Sequence, residues 1–250
     1  MSPHPNYYTG TSGLLLPVPN KTFYPEEFKD KSRLCYYGSL FNSIEINSSF
    51  YKLPMAATVR RWATETPDEF RFTFKLWREI THCKGLDFQA DHIAQFMERI
   101  DEIGEKKGSL LIQFPGSIKP VHVRELEHLL LHVRDADPDK QWKVAVEFRH
   151  QNWYQPDTYD LLNELDMGLV LHDKLKEGGE FAETETDFVY VRFHGPGGNY
   201  RGSYDDQFLA EYASYINEWL ADGKEVYTYF NNTMGSAIEN LQLLQTYIER

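Results

Sequence analysis

The sequence predicts an α/β fold, a TIM-type (β/α)8 barrel. Three observations carry this: eight short β-rich runs, helical spacing between most of them, and polar or charged residues gathered late in the runs. The runs are NYYTGTSG (6–13), SIEINSSF (43–50), RFTFKLW (71–77), SLLIQFP (109–115), WKVAVEFR (142–149), MGLVLHD (167–173), FVYVRFHG (188–195) and EVYTYFNN (225–232). Most are rich in β-branched and aromatic residues, which suit a pleated, half-buried surface.

Helical spacing occupies about 56–65, 91–106, 122–136, 156–165, 205–221 and 234–249. The fifth stretch has its own start signal. Small polar side chains from Ser203 to Asp206 precede QFLAEYASYINEWL and can take up the free amides of a first turn. The connection KLKEGGEFAETETD, about 174–187, is short and contains glycine, so the helix between strands six and seven is expected to be missing or replaced by a loop. An open doubly wound sheet is the competing architecture. No linker, low-complexity stretch or repeat divides the chain, so residues 1–250 read as a single barrel domain.

A chain of 250 residues with 41% hydrophobic content can bury a large core. The formal net charge of −12 argues against a broad positive surface, which leaves nucleic acid a less favoured partner and a membrane an unexpected one. Cys35 and Cys83 have no paired spacing and suggest neither a disulfide framework nor a cysteine zinc site. A reducing, cytoplasmic setting is expected. MSPHPNYYTG lacks the basic-then-apolar pattern of a secretory leader, and no apolar run reaches the roughly 18 residues of a membrane span.

Side chains two apart on a barrel strand share a side. Val144, Val146 and Phe148 then face helices, while Ala145, Glu147 and Arg149 point inward and upward. In strand seven Tyr190, Arg192 and His194 oppose Val189, Val191 and Phe193. The same reading turns Glu45 and Asn47, Thr73 and Lys75, Gln113, His172 and Asp173, and Tyr229 and Asn231 toward the interior. Barrel active sites form at the carboxyl ends of strands. Buried ionisable groups are costly unless paired or solvated, so a ring of them implies a polar mouth. The competing structural reading treats each acid–arginine neighbour as a buried ion pair that ties the barrel together.

HGPGGNYRG (194–202) follows strand seven, where such barrels often hold phosphate. Gly195, Gly197 and Gly198 let backbone amides approach an anion, and Arg192, Tyr200 and Arg201 flank them. A tight turn or lid is the plain alternative.

Six ordered motifs, GTSG, FNSIEINSSFYKLP, RFTFKLWREITH, VAVEFRHQNWY, DFVYVRFHGPGGNYRGSY and EVYTYFNNTMGSAIENLQLL, resemble the YecE-like family, domain of unknown function 72, over about residues 8–245. The resemblance implies a (β/α)8 barrel and no established reaction. The family typically has tryptophan after GTSG, where this chain has Leu14, so ligand preference on that side does not carry over. Its likeness to metal-using barrels of the apurinic endonuclease type is fold analogy only.

Glu45, Glu147, His172, Asp173 and His194 are residue types that bind metals, but Lys75, Arg149 and Arg192 lie among them and favour an anion over a dication. HLLLH (128–132) lacks the glutamate of a zincin motif and reads as surface. Lys75 is expected to bind an anion, with Schiff-base formation as a secondary role. Trp153 is a candidate for stacking on a sugar or base, against an equal structural role. Asn231 opens an NNT acceptor site that matters only in a secreted chain.

The leading expectation is an enzyme acting on an anionic or phosphorylated small molecule by general acid/base chemistry. Glu147 serves as base, His194 as acid or oxyanion donor, Glu45 and Asn231 as orienters, and Lys75, Arg149 and Arg192 as an anion clamp. His172, Asp173, Tyr229 and the 195–201 loop complete the contacts. The alternatives are a nucleic-acid or nucleotide binder using the same mouth, and a metal-dependent phosphodiesterase. The residues identify no cofactor.

Overall fold

A strand can serve an apolar and a polar neighbour at once when one face meets helices and the other meets the barrel axis. All eight expected strands form on that basis. A computed structural model describes residues 4–173 and 184–249. In chain order the strands are β1 (Tyr7–Thr11), β2 (Ser43–Ile46), β3 (Arg71–Lys75), β4 (Lys107–Phe114), β5 (Lys143–Phe148), β6 (Gly168–His172), β7 (Phe188–Phe193) and β8 (Glu225–Phe230). The described helices are α1 (Arg33–Leu40), α2 (Ser48–Tyr51), α3 (Ala56–Glu65), α4 (Arg78–Thr81), α5 (Ala90–Asp101), α6 (Val123–Ala136), α7 (Pro156–Glu164), α8 (Asp206–Ala221) and α9 (Ala237–Tyr247). None of them is long and apolar enough to cross a membrane. The expected loss of a helix between β6 and β7 concerns mainly residues 174–183, which lie outside the described residues.

The strands pair in the order β1-β8-β7-β6-β5-β4-β3-β2, all in parallel. A doubly wound sheet would end in two distant edges. Here β1 and β2 meet, which makes a nearly closed barrel. Ile44, Phe72, Phe74, Val144, Val146, Val191 and Phe193 pack outward under the helices. Leu111, Ala145, Val170, Phe188, Tyr190, Tyr227 and Tyr229 form a separate cluster that plugs the axis.

Two elements differ from the expectation for local reasons. Helix α1 is hidden in RLCYYGSL, whose tyrosines and glycine read poorly as helix. It forms because Ser32 caps it, the Ser32 Oγ accepting from Cys35 N at 3.0 Å, and because Leu34, Tyr36 and Tyr37 are buried. Strand β2 stops at Ile46 rather than residue 50. The chain there turns into α2, with Ser49 Oγ 2.7 Å from both Ile46 O and Lys75 O. The expected cap of α8 is present as Asp205, whose Oδ1 accepts from Phe208 N at 2.8 Å.

The β1–β2 seam is held largely by side chains. Only Ser12 and Glu45 form a strand-like bridge across it. Asn42 stands in for a strand: its Oδ1 accepts from Thr9 N at 2.9 Å and its Nδ2 donates to Tyr7 O at 2.7 Å. Tyr37 Oη accepts from Thr11 N at 2.8 Å and donates to Ser43 O at 3.1 Å. These contacts satisfy backbone groups that would otherwise be orphaned in the wall. They also bring the strands so close that a Cβ on Gly10 would lie 2.0 Å from Ser43 O.

Gly10→Ala should therefore destabilise the fold by about 2–3 kcal/mol, because the clash is with backbone and cannot be relieved by a rotamer change. Urea denaturation reads this directly. An unchanged midpoint would show that the seam is looser than described.

Candidate active site

Above the aromatic plug, the inward positions near the strand ends are charged. Arg192, on β7, is 1% exposed, and its guanidinium is the hub. Its Nε and Nη2 donate to Glu45 Oε2 (2.9 Å) and Oε1 (2.8 Å), a bidentate pair reaching to β2. Its Nη1 donates to Glu147 Oε2 on β5 at 2.5 Å and lies 3.3 Å from His194 Nε2. Tyr190 Oη donates to Glu45 Oε2 at 2.7 Å. The second Glu147 oxygen pairs with Arg149 Nε at 2.6 Å, without the alignment of a hydrogen bond.

His194 is fixed from both ring nitrogens. Nδ1 lies 3.1 Å from Asp173 Oδ1, and Nε2 lies 3.0 Å from Arg149 Nη2. Guanidinium can only donate, so Nε2 accepts and the proton sits on Nδ1, shared with Asp173. Asp173 also takes the His194 backbone amide and the Tyr204 hydroxyl. His172 Nε2 contacts Tyr154 Oη at 3.0 Å.

The electrostatics follow from burial. Desolvation works to raise the Glu147 carboxyl, but Arg192 and Arg149 together hold it well below the usual carboxylate range. Glu45 is likewise lowered, burial being outweighed by Arg192. Burial pushes His194 down to about 4 despite Asp173. Lys75 falls to about 8, through burial first and the Arg192 charge second.

These facts revise several expected roles. Glu147 is a poor base, because both oxygens are occupied by cations. His194 is a neutral imidazole at pH 7, not an acid. Arg192 is an internal tie rather than an anion clamp, since most of its donors face Glu45, Glu147 and His194. Tyr229 is part of the floor: fully buried, its hydroxyl sits 2.6 Å from Ser43 Oγ and 2.7 Å from Thr73 Oγ1. Trp153 presents no face to the mouth. It is buried, stacked on the outward-facing Phe148, and donates its N–H to Ile118 O at 2.9 Å. A base-stacking platform is therefore not built there.

The glycine loop is a clasp. Gly195 N donates to Tyr204 Oη, Gly198 N to Gly195 O at 2.6 Å, and Tyr200 N to His194 O at 2.7 Å, so these amides are spent inside the loop. Gly195 has φ 93°, and a Cβ there would lie 2.2 Å from Arg201 O. Gly202 O accepts from Ser236 N at 3.1 Å and Asn232 Nδ2 at 3.2 Å, tying the loop to the segment after β8. Gly197 lies within the same turn, and Arg201 is exposed. Asn231 is half-buried just beyond β8, its amide donating to Phe193 O.

Lys75 stands apart. Its Nζ donates to Gln113 Oε1 at 2.9 Å and lies 4.2 Å from the Phe50 ring centre, and among the described residues no carboxylate lies within ion-pair distance. Among the described residues no group of three histidines, cysteines or carboxylates is disposed to hold a metal. The carboxylates of Glu45 and Glu147 are turned to guanidinium groups instead. A cavity of about 1180 Å³ lies at the opposite end of the barrel, lined by Tyr8, Asn42, Arg71 and Gln242 among others. Volume alone would favour that end. The buried ionisable groups, and the loops from which barrels build reactive sites, are at this one.

Sequence reading missed Phe50, Tyr154, Tyr204 and Asn240. Phe50 reaches Lys75 only because β2 ends early. Tyr154 and Tyr204 lie in loops, where strand alternation gives no direction, and Asn240 holds Tyr204 N from α9 at 3.2 Å.

The family model "Protein of unknown function DUF72" matches residues 8–250. The UPF0759 protein YecE of Escherichia coli K12 is 31% identical over 118 residues, 47% of this chain and only 42% of that protein's length. The UPF0759 protein YunF of Bacillus subtilis 168 is 26% identical over 246 residues, covering 86% of this chain and 85% of that one. A crystal structure of a DUF72 family protein from Thermotoga maritima MSB8 superposes with a TM-score of 0.67 at 28% identity, covering 96% of each chain. Another from Enterococcus faecalis V583 gives 0.75 at 22% identity, over 97% of this chain and 95% of that one, a likeness of fold.

Arg192→Met should cost about 3–5 kcal/mol, because it strands Glu45 and Glu147 as buried charges. Adding Glu45→Gln and Glu147→Gln should recover much of the loss, a rescue that denaturant titration can measure. The imidazole makes a separate prediction. Between pH about 6.5 and about 4 the unfolded chain binds a proton at residue 194 that the folded chain does not, so acidification through that window lowers stability. His194→Asn should remove about 3 kcal/mol of that dependence. Parallel pH profiles in the parent and variant would count against a buried neutral imidazole.

Proposed function

The chain belongs to the DUF72 family, and on that premise we propose that its C-terminal mouth is the site of an enzyme acting on an anionic small molecule. The observation that carries this reading is the charge balance around Lys75. Glu45 and Glu147 are consumed by Arg192 and Arg149, while Asp173 is held by His194 and Tyr204. Lys75 keeps an amide oxygen and an aromatic face as its neighbours. A largely buried ammonium with no carboxylate in direct contact is unfavourable, Glu147 and Glu45 favouring its charge only from farther off, and a ligand carboxylate or phosphate relieves that cost.

In this reading Lys75 and the outer edge of Arg149 receive the anion, with Arg201 and Asn231 at the rim. Proton transfer at neutral pH falls to Lys75, whose pKa of about 8 matches that task better than Glu147 or His194. The unpaired Cys35 and Cys83 suit a reducing, cytoplasmic setting.

Inorganic phosphate tests the reading. It should raise the melting temperature of the parent at pH 7, because a ligand bound only by the folded state stabilises it by mass action. Charging Lys75 costs folded-state stability below its folded pKa, and a bound anion offsets that cost. The phosphate-induced shift should therefore fade as pH rises through about 8, and should be largely lost in Lys75→Met. A shift of the same size in Lys75→Met, or none in the parent, would overturn the assignment.

A further inference from the structure

The geometry points to Lys75 as a nucleophile that condenses with the carbonyl group of its anionic ligand to form a Schiff base. The inference rests on the anion reading above and adds the substrate class: a small carbonyl compound that carries a carboxylate or phosphate.

The first support is the contrast with other lysines. Lys29, Lys107, Lys140 and Lys143 each lie within 4.0 Å of a carboxylate, and Lys106 combines a carboxylate with the backbone oxygens of Ala63 and Thr66. Lys75 has Gln113 Oε1, a neutral acceptor that orients one N–H without fixing the positive charge. The Phe50 ring covers another side.

The second support is position. Lys75 ends β3 and is turned toward the barrel axis, as its hydrogen bond to Gln113 of β4 shows. Burial first, and then the guanidinium charges of Arg192 and Arg149, disfavour its protonation and outweigh the opposing pull of Glu147 and Glu45. With a pKa of about 8, roughly one Lys75 in ten is free amine at pH 7, against about one in 3000 for an ordinary lysine.

The step balances without any redox partner. The amine lone pair adds to the carbonyl carbon, and the carbonyl oxygen takes up a proton from the nitrogen to give a carbinolamine. The hydroxyl then takes up the proton that the ammonium released to solvent on becoming the free amine and leaves as water, the nitrogen keeping its last hydrogen, so ammonium plus carbonyl becomes iminium plus water. One positive charge replaces another, and the charge balance of the mouth is preserved.

Borohydride trapping on the parent protein tests this. The protein is incubated at pH 7.5 with pyruvate or with dihydroxyacetone phosphate, reduced, and mapped by peptide mass. The expected result is a reduced adduct on Lys75 at least tenfold above that on any other lysine, competed by phosphate and absent at that position in Lys75→Arg. Preference between the probes separates a carboxylate ligand from a phosphate one. Equal low labelling of many lysines, or an unlabelled Lys75 with both probes, overturns the inference. If phosphate still raises the melting temperature in that case, the anion site stands and only the covalent step fails. If phosphate has no effect on a protein whose Lys75 is trapped, the anion reading is what fails.

Discussion

One buried guanidinium sets the terms for the upper half of this barrel. Arg192 cannot be desolvated without counter-charge, and Glu45 and Glu147 cannot be desolvated without it. Each makes the others tolerable, and together they fasten β7 to β2 and β5 across the axis. Arg149 then balances the second carboxylate, which leaves His194 neutral and accepting. Tyr190 closes the arrangement from below, and the Ser43, Thr73 and Tyr229 hydroxyls seal the floor.

A network in which each carboxylate meets a guanidinium spends its chemistry internally. A carboxylate between two guanidinium groups is a weak base, and an imidazole whose acceptor nitrogen faces guanidinium has no lone pair to offer. The groups that look reactive in isolation thus become scaffold, and Lys75 is left outside the pairing. The clasp around Asp173, Tyr204 and Asn240 extends the same rigidity into the loop after β7.

Much of this was legible in the sequence, and the limit is physical. Strand alternation depends only on the backbone, so VAVEFR and VYVRFH correctly turn Glu147, Arg149, Arg192 and His194 inward. Alternation gives a face, not a partner. Nothing local says that Arg192 pairs with Glu45, 147 residues away, rather than with a ligand. The isolation of Lys75 emerges only by subtraction, once those pairings are known. Trp153 shows the converse: HQNW reads as a binding loop until the indole is seen against Phe148, and α1 stays hidden because its aromatic residues serve the seam.

That seam bears on how the chain reaches its native state. Strand β1 has its backbone ladder with β8, while its other edge meets side chains of Asn42 and Tyr37 and the single Ser12–Glu45 bridge. During synthesis, the earliest described strand therefore waits for the latest before it gains a continuous partner, more than 200 residues on. Until then β1 is an unpaired edge, and its loop-closure entropy is recovered only when β8 arrives. Barrel completion is thus a late, long-range event, and the nascent chain is most exposed to mispairing just before its eighth strand is made.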